Sequence, residues 1–252
     1  MIVEFVGLPG AGKTTLENAL VDALARRGVP VMRREEAVST YITDYVGISR
    51  TRSSILRRLS TALYKLRLFL MTMARPSPLL ELNSLKRPHL LRAALRLAED
   101  QCLYRWAEQH LQHPTVLDLA EGYSQHSAAL LVWRKLLGSR HEEPALTSPR
   151  LSVTDGAAQA LVVYVDLPQA SAQTRLLRRG IPPFWPRHTD PDAVMTAFSR
   201  SIGQVVHAVS SIQGMYVLHI DAAKASPGWH AEAELVADRV EACMTSPRIR
   251  HQ

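Results

Sequence analysis

Cysteine is almost absent from this 252-residue chain, which contains only Cys102 and Cys243. Two cysteines cannot build a disulfide framework, and neither belongs to a Cys-x-x-Cys pair or a Cys/His cluster of zinc-binding spacing. The ten histidines, including His126 and His207, also lack metal-ligand spacing, so we interpret them as structural or surface residues. These counts favour reduced thiols in a cytoplasmic protein and give no indication of a zinc site.

Long hydrophobic runs are also missing. The most apolar stretch after the N-terminus, residues 66–73, is flanked by Lys65 and Arg75 and is too short to span a bilayer. The first residues show no basic segment followed by an apolar run and a cleavage site, so secretion is not expected. With 46% apolar and 21% charged residues, the composition is that of a globular chain that can build a core.

Acidic residues are absent from residues 50–80, although Arg50, Arg52, Arg57 and Arg58 lie there. The whole chain has a net charge of +7, which favours anionic partners such as phosphates, nucleotides, nucleic acid or an acidic membrane surface. Aromatic residues make up only 6% of the chain, and few interrupt this basic segment, so a stacking platform for single-stranded nucleic acid is not expected. The basic residues could line a pocket for an anionic acceptor, form a solvated face, or contact nucleic acid or a membrane.

A phosphate-binding motif lies at the start of the chain. Residues 7–14 fit the pattern GxxxxGK[ST], after an apolar run that predicts a strand and before a helical apolar stripe. Glycines let the backbone amides of such a loop turn toward phosphate oxygens, and the helix N-terminus adds positive potential. The motif predicts a nucleotide site at Gly7, Leu8, Pro9, Gly10, Ala11, Gly12, Lys13, Thr14 and Thr15, with Lys13 on the β and γ phosphates and Thr14 on Mg²⁺.

Strands and helices are predicted to alternate along the chain. Strands are predicted at residues 1–6, 29–33, 115–119, 160–166 and 216–221, and helices at 16–27, 128–137, 170–179, 190–213 and 230–244. This order predicts an α/β protein with a parallel five-stranded sheet and right-handed crossovers. Residues 50–113 show helical spacing without a strand, so we expect one domain over 1–252 with a helical insertion at about 50–113.

Several classes of nucleotide-using protein are excluded by missing motifs. The chain has no Asn-Lys-x-Asp run, as a GTPase would need, and no LSGGQ-like signature of a transport ATPase. Its length leaves no room for the additional domains of helicases or motors. A small phosphotransferase or a compact ATPase remains.

The chain resembles the nucleoside monophosphate kinases among P-loop kinases, and most closely thymidylate kinase-like proteins. The resemblance rests on the loop GLPGAGKTT, Arg34-Glu35 after the second strand, Asp118 at the end of the third, residues 166–180 and the last strand YVLHID. It implies a three-layer α/β/α sandwich, MgATP as phosphoryl donor and a lid at about 175–191. The chain departs from the family where Asp-Arg-aromatic would follow strand three, because Asp118 is followed by Leu119, so the arginine that grips an acceptor phosphate is missing.

Carboxylates at the predicted sheet edge are candidates for the chemistry. Asp118 closes an apolar strand, where a ligand of a Mg²⁺-bound water is expected, and Glu121 lies three residues further on. Glu121 could accept the proton of the acceptor, orient a water molecule or simply begin a helix. Glu35 and Glu36 follow strand two at the same edge, and Glu35 is the preferred base of the two, unless both are solvated loop residues.

Arginines near residue 175 are candidates for the lid. Arg175 and Arg179 are four residues apart and share one face of a predicted helix. The resemblance implies that Arg175 stacks on adenine and that Arg178 or Arg179 contacts phosphates, whereas a solvated helix end is the alternative. Arg187, in the following proline-rich loop, is a weaker candidate.

The sequence thus predicts an ATP-dependent phosphotransferase that acts on an anionic or hydroxyl-bearing small molecule. The acceptor is either a nucleoside monophosphate or a non-nucleotide hydroxyl compound, and the altered strand-three motif favours the second. A nucleotide-binding regulator or assembly ATPase with a protein or nucleic-acid partner is the alternative. The sequence is compatible with a homodimer.

Overall fold

The computed structural model describes residues 1–46, 64, 88–111, 114–136, 159–182, 185 and 189–245. Five strands form one sheet: β1 (Ile2–Gly7), β2 (Val31–Arg33), β3 (Val116–Asp118), β4 (Ala160–Asp166) and β5 (Met215–Asp221). All strand pairs are parallel, and the strand order is β2-β3-β1-β4-β5. The predicted α/β class and the five-stranded parallel sheet are confirmed.

Seven α-helices accompany the sheet within the described residues. They are α1 (Lys13–Arg26), α2 (Arg34–Val46), α3 (Pro88–His110), α4 (Tyr123–Leu136), α5 (Gln169–Arg179), α6 (Pro191–Ser210) and α7 (His230–Thr245), preceded by a 3₁₀ turn at Pro227–Trp229. None of these helices is long and apolar enough to cross a membrane.

The strand order assigns the helices to two layers. From β1 the chain passes through α1 toward the β2 edge, whereas it passes through α4 and α6 toward the β5 edge. Right-handed crossovers in opposite directions place helices on opposite faces of the sheet. Accordingly, α1 packs with α7, and α4 packs with α3 and α6. The change of direction at β1 leaves a crevice at the carboxyl ends of β1 and β3, where ligands bind in open α/β sheets.

The core lies on both faces of the central strands. Ile2, Val3, Phe5 and Val6 of β1 are fully buried, and so are the apolar residues of β3 and most of β4. Because both faces are covered by helices, these strands are apolar without alternation, as expected for a parallel sheet. Cys102 and Cys243 are both buried.

Two helix starts differ from the sequence prediction. Residues 34–36 form the first turn of α2 rather than a loop, and α4 begins at Tyr123, five residues before the predicted start. The predicted start of α6 is confirmed: Asp190 caps the helix by accepting a hydrogen bond from the amide of Asp192, and Pro191 follows at the first helical position.

Much of the predicted insertion and part of the predicted lid lie outside the described residues. Within residues 50–113, the described part is Tyr64, α3 and Leu111. Within residues 175–191, the end of α5 and the start of α6 are described, but Arg187 is not. The single-domain division of residues 1–252 therefore stays a prediction.

Among the described residues, three hydrogen bonds at two places join α2 to α3. Near the start of α2, Arg34 donates to Glu99 and Asp100 on α3 at 2.6 and 2.5 Å. Near its end, Asp44 accepts a hydrogen bond of 3.0 Å from the indole of Trp106. These contacts hold α2 against α3, on which it packs.

Candidate active site

The phosphate-binding loop joins β1 to α1 as predicted, and its glycines meet steric demands. Gly10 and Gly12 have φ of +88° and +104°, values in the left-handed region that side chains disfavour. A Cβ at Gly12 would lie 2.5 Å from the Trp229 ring, and one at Gly10 would lie 2.7 Å from the carbonyl oxygen of Ala172. The loop is therefore held between α5 and the turn before α7.

Lys13 starts α1 and is buried. Its Nζ donates to the carbonyl oxygens of Gly7 and Leu8 at 3.0 and 3.2 Å, and it lies 3.1 Å from Oε1 of Glu121. The positive charge of Lys13 holds the pKa of the Glu121 carboxyl below its usual range. The structure thus brings together two of the predicted residues, and a polyphosphate would compete with Glu121 for the ammonium group.

Asp118 ends β3 and is buried. Its Oδ1 accepts a hydrogen bond of 3.0 Å from the amide of Ala120, whose φ of +52° marks a tight turn after the strand. Burial raises the pKa of Asp118. Partial burial, followed by the negative charge of Asp118, raises the pKa of Glu17 to about 7. The two carboxyls therefore form an acidic pair beneath the first turn of α1.

This acidic pair fits a magnesium site. With Glu17 ionised, the buried Oδ2 of Asp118 has no hydrogen-bond donor among the described residues. Mg²⁺ is usually held by one or two carboxylates together with substrate phosphates and water, so a larger cluster is unnecessary. Consistent with that, the described residues contain no group of three His, Cys, Asp or Glu side chains arranged for a metal. Thr14 is exposed in the first turn of α1, where the motif predicts a Mg²⁺ ligand.

A cavity of about 540 Å³ opens beside the phosphate-binding loop. Its walls combine residues of the loop and α1, charged residues of α2 and α3, the turn after β3, α4 and three aromatic rings: Pro9, Lys13, Thr14, Glu17, Arg34, Glu35, His89, Arg92, Ala93, Arg96, Leu119, Ala120, Glu121, Gln125, His126, Ala129, Trp133, Trp185 and Phe198. The volume lies in the range of small-molecule sites. The predicted residues Lys13, Thr14, Glu35 and Glu121 therefore face one space.

Arg34 and Glu35 have different surroundings although they are adjacent. Glu35 is exposed and lines the cavity, whereas Glu36 is exposed outside it. Arg34 is mostly buried between Glu99 and Asp100, so both of its charge-assisted hydrogen bonds are made within the protein. The structure thus gives Arg34 an ion-pairing role that the resemblance to a kinase segment did not indicate.

The first turn of α4 supplies cavity residues that the sequence prediction missed. Gln125 is buried, and its Oε1 accepts the amide of Gly7 at 3.0 Å, which fixes the start of the phosphate-binding loop. His126 lines the same cavity, a position that its spacing in the sequence did not indicate. Because the apolar stripe of α4 becomes clear only from Ala128, both residues fell outside the predicted helix.

Glu4 is a fully buried carboxyl on β1, below the turn that carries Glu121. Burial raises its pKa to about 7 although it accepts hydrogen bonds from the amide and hydroxyl of Ser124. A Cβ at Gly122 would lie 2.3 Å from Oε2 of Glu4, so only glycine leaves room for this carboxyl. The sequence signal that could have revealed this buried carboxyl is an acidic residue inside an apolar strand.

The predicted lid arginines lie on α5 and are all exposed. Arg175 is next to the loop, because a Cβ at Gly10 would lie 3.5 Å from the Cβ of Arg175. No ion pair with a described residue engages Arg178 or Arg179, and neither lines the cavity. Their contact with nucleotide stays a prediction.

The chain has no match among models of protein families. It has no match among curated proteins. Among solved structures, it is similar to deoxyadenosine kinase from M. mycoides with the products dCMP and a flexible dCDP, at a TM-score of 0.50 and 12% identity, over 96% of this chain and 100% of that chain. A structure of the same enzyme with dATP aligns at a TM-score of 0.49 and 11% identity, over the same shares of the two chains. At 12% identity the first comparison shows a common fold, in agreement with the predicted P-loop kinase fold.

Proposed function

We propose that this protein is an ATP-dependent phosphotransferase that moves the γ-phosphoryl group of MgATP to a hydroxyl-bearing small molecule. One observation carries the proposal: the phosphate-binding loop and a cavity large enough for a second molecule share Lys13 and Thr14 as walls. A donor on the loop and an acceptor in the cavity would therefore meet at the start of α1. Such positioning is the main contribution of a protein to phosphoryl transfer.

The predicted residues of the phosphate-binding loop, the metal site and the lid have places in this proposal. Residues 7–15 bind the triphosphate, and Lys13 exchanges Glu121 for phosphate oxygens when the nucleotide binds. Thr14 and Asp118 would hold Mg²⁺, which would neutralise phosphate charge. The lid arginines of α5, with Arg175 nearest to the loop, would add positive charge at the transferring group.

The cavity walls indicate the character of the acceptor. Trp133, Trp185 and Phe198 form an aromatic cluster, in which Trp185 and Phe198 stack with ring centroids 6.4 Å apart. Arg92 and Arg96 bring positive charge to another wall. A planar or apolar body with hydroxyl groups, with or without an anionic group, fits these walls. The fold relative has been described with dCMP, so nucleosides and nucleoside monophosphates head the list of acceptors to be tested.

The proposal is tested by incubating the protein with MgATP and a panel of nucleosides, nucleoside monophosphates and sugars. Acceptor-dependent release of ADP, with a phosphorylated product in the mass spectrum, is expected. Lys13→Met should nearly abolish turnover, whereas Lys224→Met, which removes an exposed lysine paired with Asp221, should not. ATP hydrolysis that no acceptor changes but a protein or nucleic acid stimulates would contradict the proposal and support a regulatory ATPase.

A further inference from the structure

His126 belongs to a chain of hydrogen-bonded side chains beside the cavity. Its Nδ1 lies 2.6 Å from Oδ2 of Asp100, a carboxylate on α3 that is fully buried. The other oxygen of Asp100 accepts a hydrogen bond of 2.5 Å from Nη1 of Arg34. Because both oxygens of Asp100 are occupied, this carboxylate has a fixed position against the imidazole ring.

This arrangement selects one tautomer of the ring. An ionised carboxylate only accepts hydrogen bonds, so the Nδ1 atom of His126 must carry the proton that it donates to Asp100. In the neutral ring, Nε2 is then left with its lone pair. The side chain is 17% exposed and lines the cavity, and no described residue forms a hydrogen bond with Nε2.

The ring lies near the phosphate end of the cavity. The neighbouring Gln125 accepts a hydrogen bond from the amide of Gly7, which holds the first turn of α4 against the phosphate-binding loop, and His126 lines the cavity together with Lys13 and Glu121. Among the described residues, Asp100 of α3 contacts the ring, and Arg34 of α2 pairs with the other oxygen of that carboxylate. Glu121, paired with Lys13, lines the same cavity.

The two predicted carboxylate bases are less suited to remove a proton. Glu121 has a side chain that is 55% exposed, and a solvated carboxylate is a weaker base than an imidazole even after phosphate has taken its lysine partner. Glu35 is exposed and lies near the acidic pair Glu17 and Asp118, where Mg²⁺ would attract it. The imidazole of His126 has a free lone pair and a carboxylate partner that stabilises it once protonated.

We propose that His126 is the catalytic base for the acceptor hydroxyl and that Asp100 is the residue that positions it. The inference rests on the proposed phosphotransfer. The acceptor oxygen forms a bond to the γ-phosphorus while its proton passes to Nε2 of His126. The bond from the γ-phosphorus to the bridging oxygen breaks, ADP leaves with that electron pair, and the imidazolium later gives its proton to water.

The test uses His126→Asn, because asparagine retains an N–H group for Asp100 but cannot take up a proton. With MgATP and the best acceptor of the panel, we expect kcat to fall about 100-fold or more, the usual scale of general base catalysis, while the Kd for MgATP changes less than twofold. The acidic limb of the pH profile of kcat should disappear as well. His207→Asn, at an exposed position of α6 outside the cavity, is the matched control.

A measurement on the unmodified protein addresses the positioning by Asp100 without any acceptor. Nitrogen NMR of the histidine side chains should show neutral His126 as the Nδ1–H tautomer, and the opposite tautomer would overturn the inference. It would also be overturned if Glu35→Gln removed the acidic limb and His126→Asn retained it. Phosphorylation of an acceptor at an unchanged kcat in His126→Asn would refute the inference alone. MgATP binding without any phosphorylated acceptor would refute it together with the proposed function.

Discussion

Nζ of Lys13 lies 3.1 Å from Oε1 of Glu121, so the lysine of the phosphate-binding loop is paired with a carboxylate from the turn after β3. Any phosphate that takes this ammonium group must displace a side chain that is 55% exposed. The ion pair therefore helps to hold the loop in place, and nucleotide binding would break it. Breaking the ion pair would make the binding free energy of the nucleotide less favourable.

The first prediction concerns Glu121→Gln. Without the competing carboxylate, Lys13 is free for phosphate, so the affinity for MgATP should rise about three- to tenfold, the scale of a partly exposed ion pair. Calorimetric titration measures this change, with Glu36→Gln as an exposed control outside the cavity. We expect kcat to stay within about tenfold of the wild-type value, since His126 is the proposed base. A much larger loss of kcat at unchanged affinity would return the role of base to Glu121.

The second prediction concerns the metal. Asp118→Asn removes the carboxylate whose buried Oδ2 lacks a donor, so the Mg²⁺ concentration needed for half-maximal ATP binding should rise about tenfold or more. Asp166→Asn is the matched control, because Asp166 ends β4 as Asp118 ends β3 but is exposed and accepts a hydrogen bond from the Tyr164 hydroxyl. Titration of Mg²⁺ at fixed ATP measures the effect. Equal Mg²⁺ requirements in both variants would remove Asp118 from the metal site.

The third prediction concerns Arg34. Arg34→Met leaves the buried carboxylate of Asp100 without its guanidinium partner, which should lower the free energy of unfolding by about 3 kcal/mol. Arg26→Met removes an exposed arginine that is paired with Glu234, and the expected loss is about 1 kcal/mol or less. Urea denaturation compares the two variants. Similar losses of unfolding free energy in the two variants would mean that burial does not increase the contribution of the Arg34 ion pair to stability.

The fourth prediction is a pH dependence of stability that comes from Glu4. Its pKa is about 7 in the folded chain and 4.5 for an ordinary glutamate, so the folded state binds more protons than the unfolded state between these values. The contribution of Glu4 to the free energy of unfolding is therefore greatest below pH 4.5. It falls as the pH rises through 7, by about 3 kcal/mol in all.

Glu4→Gln should abolish this fall, because the amide carries no charge and can still accept a hydrogen bond from Ser124. The measurement is the difference in unfolding free energy between the variant and the wild type at pH 5 and pH 8. Relative to the wild type, the variant should have a higher unfolding free energy at pH 8 than at pH 5. A constant difference would show that Glu4 is ionised at both pH values.

The fifth prediction concerns glycine in the phosphate-binding loop. Gly12→Ala combines a left-handed backbone with a Cβ only 2.5 Å from the Trp229 ring. Gly28→Ala meets the same kind of backbone cost, about 1 kcal/mol, but no atom within 4 Å. We expect Gly12→Ala to lose at least twice as much stability and to bind MgATP about tenfold more weakly. Equal decreases in melting temperature in the two variants would show that contact with the Trp229 ring does not restrict position 12.

Local patterns in the sequence predicted the frame of the site. The strand, glycine-rich turn and helix of residues 1–26 follow from neighbouring residues, as does the start of α6 at Asp190 and Pro191. The strand ends of the parallel sheet then bring Glu35 and Glu121 to the edge where Lys13 begins α1. These parts depend on short-range preferences and on rules of chain crossover, which a single sequence reveals.

Partners distant in sequence could not be predicted in the same way. Arg34 and Asp100 are 66 residues apart, and His126 meets Asp100 only because α3 packs against α4. Nothing in the spacing of the histidines distinguishes His126 from the others. The aromatic wall has the same origin, since Trp133, Trp185 and Phe198 come from separate segments. The resemblance to thymidylate kinases stays a prediction, because the comparisons show a fold and not a subgroup.

The two contacts between α2 and α3 also determine how the chain must travel between them. Arg34 and Asp44 follow the same order along α2 as their partners Asp100 and Trp106 along α3, so the two helices run in the same general direction. Val46 at the end of α2 and Pro88 at the start of α3 therefore lie about 30 Å apart, the rise of some twenty helical residues. A fully extended chain covers this distance in about nine residues. A trimmed protein with a shorter connection could not keep both contacts, whereas a longer one leaves the register of the two helices unchanged.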